Sequence, residues 1–132
     1  VNVLSGSISE LFSYGEKMAK GSRSVWTERV DQLLDVLSRM CRDAIVFHAH
    51  QERSNGTDGN VRYYNSDRIH LVRFWAEKLG PTGLDTVRGA IDNARMELAG
   101  FVNGRLLMDA LLLRVATELG PERIGMAEIA EM

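Results

Sequence analysis

The chain has 132 residues, of which 45% are hydrophobic and 26% charged, so it is long enough to form one hydrophobic core. Its formal net charge of −2 predicts no bulk attraction to DNA or to an anionic membrane surface. No apolar stretch approaches the ~20 residues that a membrane span needs, and no signal-peptide pattern opens the chain. The single cysteine, Cys41, cannot form an internal disulfide. One domain in a reducing, cytoplasmic setting is predicted, although a secreted protein with few cysteines is also compatible.

The first predicted helix begins at a capping box formed by Ser7 and Glu10 and ends near Gly21. Its inward residues are expected to be Ile8, Leu11, Phe12 and Met18. A second helix is predicted from Ser24 to about Gln51, because nothing between them breaks a helix. Its apolar residues recur at alternating steps of four and three, which predicts a seam facing a near-antiparallel neighbour. The seam comprises Trp26, Val30, Leu33, Leu37, Met40, Ala44 and Phe47, broadened by Leu34, Cys41 and Ile45.

A polar loop with two Asx-Gly pairs is predicted over 54–60. The same pairs also fit a β-hairpin that includes Val61, Tyr63 and Tyr64, although its strands would be too short to be stable alone. Asn65 or Ser66 is then expected to cap a third helix. That helix carries Ile69, Val72, Ala76 and Leu79 and stops at Gly80-Pro81.

A fourth helix is predicted by apolar residues that again recur at steps of three and four. They are Leu84, Val87, Ile91, Ala94, Leu98 and Phe101. Asn103 is placed to cap the helix that follows it.

The fifth predicted helix, from Arg105 to about Leu119, is apolar in nearly every direction around its axis, and only Asp109 and Arg114 interrupt its middle. Such a helix has to be covered on all sides, so it is either the central helix of the bundle or a contact with another subunit. Pro121 ends it, and 121–132 is predicted to be a short sixth helix or a tail. The predicted fold is all-α, an antiparallel bundle of five to six helices over 1–132.

No catalytic centre, cofactor site or metal site is predicted. The glycine pair Gly100 and Gly104 lacks the Lys-Ser/Thr sequence that a phosphate-binding loop requires. His48 and His50 point about 200° apart on a helix, so they cannot share an ion, and His48 with Glu52 offers only two ligands. His70 adds no ligand with the right spacing. Cys41 lies on the apolar seam and is expected to be a buried core residue.

The stretch Arg62–Trp75 interleaves arginines with aromatic residues, as single-stranded nucleic-acid-binding proteins do. A single-strand nucleic-acid-binding helical module that uses this stretch is therefore the alternative function. The low overall charge argues against it. Asp31 and Asp35 share a helix face but are expected to be solvated surface residues.

The helix from Leu33 to Phe47, with Arg42-Asp43 near its end, resembles the third helical domain of bacterial clamp-loader subunits of DNA polymerase III. The same resemblance covers Ala90–Arg95, Phe101–Asn103 and the leucine-rich run Leu106–Arg114, in an order that spans roughly residues 7–119. The delta-prime type of subunit is the most similar, and the gamma/tau type is next.

This resemblance implies a non-catalytic collar domain that assembles with other clamp-loader subunits, of the delta and gamma/tau types, and supports sliding-clamp loading during DNA replication. It implies that nucleotide and DNA contacts belong mainly to separate N-terminal ATPase modules. Since residue 1 is valine, the chain is expected to be a C-terminal fragment or a processed form of a longer subunit. The subunit interface is predicted on the fifth helix and on the outer face of the second helix. Leu106, Leu107 and Leu113 would supply buried area, with Arg105, Asp109 and Arg114 at the rim.

Overall fold

The computed structural model describes the backbone of residues 8–18, 20–53, 62–100 and 103–120, which contains helices and no strand. The helices are α1 (Ile8–Met18), α2 (Arg23–Arg53), α3 (Ile69–Leu98) and α4 (Gly104–Leu119), with a 3-10 turn over Ser66–Arg68 before α3. The all-α fold class is confirmed. The described part of the chain contains four helices rather than the five or six predicted.

Helix α2 is the longest element and packs mainly against α3. The predicted seam is confirmed, because its residues are buried from Trp26 to Ala44 and Phe47 is partly buried against the core. Ile45 was expected to broaden this seam, and that prediction is wrong. Its side chain is exposed and lines a groove instead of filling the core.

Helix α3 spans both the third and the fourth predicted helices. The predicted stop is visible as a local break, since Gly80 has φ 63° and ψ 180° while helix continues on both sides. A positive φ of this kind favours glycine, and Pro81 has no N–H to donate to the preceding turn. Ile69 was expected to face inward but is 42% exposed, whereas Leu71 and Trp75 are fully buried.

A buried carboxylate, rather than a helix cap, fixes the chain before α3. Asn65 makes no side-chain cap, contrary to one of the two predicted caps, because its Nδ2 donates to Asp43 Oδ2 at 2.8 Å. The backbone N–H of Asn65 donates to the same oxygen at 2.8 Å, and that of Tyr64 donates to Oδ1 at 3.0 Å. Arg42 Nη1 completes the set at 3.1 Å from Oδ1. Asp43 has no exposed surface, so these four donors compensate for its burial.

Arginines on α2 secure the ends of two neighbouring helices. Arg29 Nη1 donates to the carbonyl oxygens of Lys17, Met18 and Lys20 at 3.1, 3.2 and 3.1 Å, which satisfies acceptors that the end of α1 leaves unpaired. Arg23 donates to the carbonyl of Gly100, just beyond α3. These contacts hold α1 and the carboxyl end of α3 against the start of α2.

The predicted cap of the last helix is confirmed. The side chain of Asn103 accepts from the backbone N–H groups of Arg105 at 3.0 Å and Leu106 at 3.2 Å. Gly104 then packs on Trp26, where an added Cβ would lie 3.0 Å from the indole ring. This close approach sets the position of α4 on the bundle.

Several predictions fall on residues outside the described part of the chain. They are the Ser7 capping box, the loop or hairpin over 54–60, the inward position of Phe101, and the tail or sixth helix at 121–132. The inward side chains predicted for the start of α1 also lie outside it, whereas Met18 is partly buried against the core.

We predict that Asp43→Ala lowers the free energy of unfolding by about 3 kcal/mol, because it leaves several buried donors without an acceptor. Urea denaturation followed by circular dichroism measures this change. Asp85→Ala is the matched control, since its carboxylate is exposed and pairs with Arg88 at 3.0 Å on the surface. Its loss should stay below about 1 kcal/mol. Equal losses in the two variants would contradict the anchoring role of Asp43.

Candidate functional site

The packing of α4 divides its circumference into a covered part and an uncovered part. Its neighbours in the fold are α3, α1 and α2. The covered residues are Gly104, Leu107, Met108, Leu111, Leu112, Val115, Ala116 and Leu119. Because the other described helices cover only part of it, α4 is not a fully enclosed central helix.

The uncovered part of α4 carries an apolar stripe, which we call the α4 outer stripe: Leu106, Ala110 and Leu113. These residues follow one another at steps of four and three, so they lie along one line of the helix surface. Leu106 is 67% exposed and Leu113 is 41% exposed, and Ala110 is also exposed. Two large leucines therefore lie in line on one exposed face of α4.

A groove of about 320 Å³ separates this face of α4 from the second half of α3. Its lining includes small residues and apolar side chains from both helices together with polar and charged side chains. The lining residues are Asp85, Thr86, Gly89, Ala90, Asn93, Ala94, Glu97, Leu107, Ala110, Leu111 and Arg114. An added Cβ at Gly89 would meet nothing within 4 Å, so the groove is open at that point.

The six residues predicted for the interface do not all reach this surface. Leu106 and Leu113 are exposed on the outer stripe, and Arg114 is exposed at the groove. Leu107 belongs to the core, so its area is already covered within the domain, although it also contributes to the floor of the groove.

Arg105 and Asp109 lie towards α1 instead. Arg105 is 3.5 Å from Glu16 and 3.6 Å from Asp109, and Asp109 is mostly buried. A Cβ at Gly15 would lie 2.5 Å from Asp109 Oδ1, so the absence of a side chain at Gly15 allows the carboxylate to rest on α1. These charges therefore fix α4 to α1 within the domain.

The aromatic residues of the Arg62–Trp75 stretch do not form a common surface. Trp75 has no exposed area, while Tyr63 and Phe74 are partly buried against the core. Tyr64 differs from them, since it is 65% exposed. Its ring lies beside Arg39 and Arg42 of α2, whose guanidinium carbons are 5.8 and 5.1 Å from the ring centroid. The proximity of these two arginines to Tyr64 was not predicted, because nothing in the linear sequence pattern places α2 beside Tyr64.

The acidic pair on α2 has a structural partner. Arg95 of α3 donates to Asp35 at 2.9 Å and to Ser38 at 3.1 Å, and its guanidinium lies 3.7 Å from Asp31. Asp31 and Asp35 were expected to be simply solvated, so this prediction missed the contact between helices.

The histidines are not brought together into a ligand set. Within the described residues, no group of three or more His, Cys, Asp or Glu side chains could hold a metal ion. His48 instead lines a groove of about 330 Å³ between α2 and α3, together with Ile45 and Leu84. That groove lies next to the break at Gly80, where Pro81 forms part of its wall.

The thiol of Cys41 is buried, as predicted. Burial raises its pKa to about 12, and the more distant charges of Arg88 and Asp92 have smaller, opposing effects. A thiol with this pKa is almost entirely protonated at neutral pH, so it is a poor nucleophile.

We predict that a disulfide reagent such as DTNB leaves Cys41 of the folded chain unmodified at pH 8 and modifies it rapidly in guanidinium chloride. The raised pKa alone lowers the thiolate fraction roughly a thousandfold relative to a free cysteine. Absorbance of the released thionitrobenzoate measures the reaction. Rapid labelling of the folded chain would contradict the burial of this thiol.

Among the described helices, none combines the length and the apolar character needed to cross a membrane. No protein-family model matches the chain, and no curated protein or solved structure is similar enough to count as a match.

Proposed function

We propose that this chain is a non-catalytic assembly domain that contacts other subunits through the α4 outer stripe and the adjacent groove. The observation that supports this most is the exposure of Leu106 and Leu113 along one line of a helix whose other side is packed into the core. When a partner covers these leucines, each Å² of apolar surface removed from water contributes about 25 cal/mol of favourable free energy.

The kind of assembly is inferred from the resemblance in sequence. We propose a collar domain of a DNA polymerase III clamp loader, most similar to the delta-prime subunit, that joins subunits of the delta and gamma/tau types in the cytoplasm. This proposal includes the finer architecture, an antiparallel bundle of five to six helices in which the two parts of α3 count separately and 121–132 is a short sixth helix or a tail. Its role in sliding-clamp loading is to hold subunits together while other modules hydrolyse ATP.

The charges around the stripe suggest how orientation is set. Arg114 is exposed and lines the groove together with Glu97 of α3. Charged residues at the edge of an apolar contact contribute more to specificity and to association rate than to affinity. Arg114 is therefore the rim residue of the proposed interface. Arg105 and Asp109 lie against α1 instead, near Glu16 and Gly15.

We predict that the chain co-sediments with clamp-loader subunits of the delta or gamma/tau type, and that Leu113→Asp weakens this association at least tenfold. A charge at the centre of an apolar contact has to be desolvated without a partner. Sedimentation velocity of mixtures over a range of concentrations measures the change in affinity.

Ile69→Asp is the matched control, since Ile69 is 42% exposed against 41% for Leu113 but lies at the start of α3. Both variants should keep the helical circular dichroism of the parent chain. If neither type of subunit co-sediments with the chain, the clamp-loader assignment fails. If the two substitutions weaken association equally, α4 is not the contact surface.

A further inference from the structure

A second surface lies away from the α4 outer stripe, and we name it the Tyr64 patch: Tyr64, Arg39, Arg42 and Arg62. Tyr64 exposes 65% of its surface although its ring is apolar. Two guanidinium groups lie within 6 Å of its ring centroid, at 5.1 Å for Arg42 and 5.8 Å for Arg39, the range of a cation-π contact. The patch therefore combines an accessible aromatic ring with fixed positive charge.

The patch is positioned by the buried carboxylate of Asp43. The backbone N–H of Tyr64 donates to Asp43 Oδ1, and Arg42 donates both to that oxygen and to the carbonyl of Arg62 at 2.8 Å. Tyr64 and Arg42 are thus hydrogen-bonded to the buried Asp43, and the backbone of Arg62 is held through Arg42. A ligand would find these residues already ordered, which lowers the entropy cost of binding.

The local charge of the patch is opposite to that of the whole chain. Arg39, Arg42 and Arg62 are exposed, while the formal net charge of the chain is −2. Asp43, the carboxylate in contact with the patch, has no exposed surface and already accepts four hydrogen bonds. An approaching anion therefore meets exposed arginine side chains, two of them beside the Tyr64 ring, while the Asp43 carboxylate is covered by its donors.

We propose that the Tyr64 patch binds single-stranded nucleic acid, with the arginines on the phosphates and the tyrosine ring stacked on a base. Guanidinium groups match phosphate oxygens with two parallel N–H donors. An exposed aromatic ring stacks on any base. This site replaces the linear stretch Arg62–Trp75, because Trp75 is inaccessible and two of the arginines come from α2. It is independent of the proposed assembly through α4.

The test is fluorescence anisotropy of a labelled oligothymidylate of about 15 nucleotides, titrated with the whole chain at several salt concentrations. Three phosphate contacts predict a slope of log K against log salt of about −2, since each contact to a single strand contributes about −0.7. Tyr64→Ala should weaken binding by roughly 5- to 100-fold, whereas Tyr64→Phe should bind like the parent chain. An abasic oligonucleotide of the same length should bind the parent chain as weakly as oligothymidylate binds Tyr64→Ala.

The arginines are tested through Arg39, whose guanidinium lies beside the tyrosine ring and whose removal leaves the Asp43 bonds in place. Arg39→Ala should weaken binding and reduce the salt slope by about 0.7. Arg88→Ala, which removes the same charge from the Asp85 pair on α3, is the control and should keep the parent affinity and slope. Circular dichroism confirms that each variant is folded.

The proposal is overturned if the chain does not bind the oligonucleotide, or if Tyr64→Ala and the abasic strand bind as tightly as the parent pair. It is also overturned if polyglutamate of equal length competes as well as unlabelled oligothymidylate, because the patch would then be an acidic-polypeptide site.

Discussion

Helix α4 is apolar around most of its axis, yet α1, α2 and α3 cover it on one side only. The covered side carries the buried residues Leu107, Met108, Leu111, Leu112, Val115, Ala116 and Leu119. Asn103 caps the first turn, and Gly104 places that turn directly on the Trp26 ring. Leu106 and Leu113 lie on the uncovered side and face outward. The proposed assembly role depends on this constraint.

A different kind of interaction organises the other end of the bundle. Asp43 is fully buried in α2 and accepts from the backbone of Tyr64 and Asn65, which come immediately before the turn leading into α3. A buried carboxylate is tolerated only when its oxygens accept hydrogen bonds. The backbone of Tyr64 and Asn65 is therefore held in the position from which it can donate to Asp43. The same bonds hold Tyr64 at the surface. A structural requirement for the fold thus also creates the surface on which the nucleic-acid proposal depends.

The sequence predicted well those features that follow from local pattern. Steps of three and four gave the seam of α2, and the Asn-Gly pair gave the cap of α4. Gly80-Pro81 marked a real departure from helical geometry, since Gly80 has φ 63° and ψ 180° and α3 consists of two helical parts that meet at this kink.

Predictions failed where a residue's surroundings come from another part of the chain. Ile45 shares the period of the seam, but it lies where α3 breaks and leaves a groove, so it stays exposed. Asn65 is a residue type that often caps helices, but its side chain donates to Asp43, which is distant in sequence. Arg39 and Arg42 take part in the proposed nucleic-acid site only because the fold places Tyr64 beside them.

The most direct measurement of the central claim is methyl NMR of the leucines during titration with a clamp-loader subunit of the delta or gamma/tau type. Leu106 and Leu113 are the reporters, and Leu71, which has no exposed surface, is the internal reference. The account predicts that the methyl resonances of Leu106 and Leu113 shift or broaden as the partner binds, while those of Leu71 do not. Saturating binding that leaves Leu106 and Leu113 unchanged would contradict it.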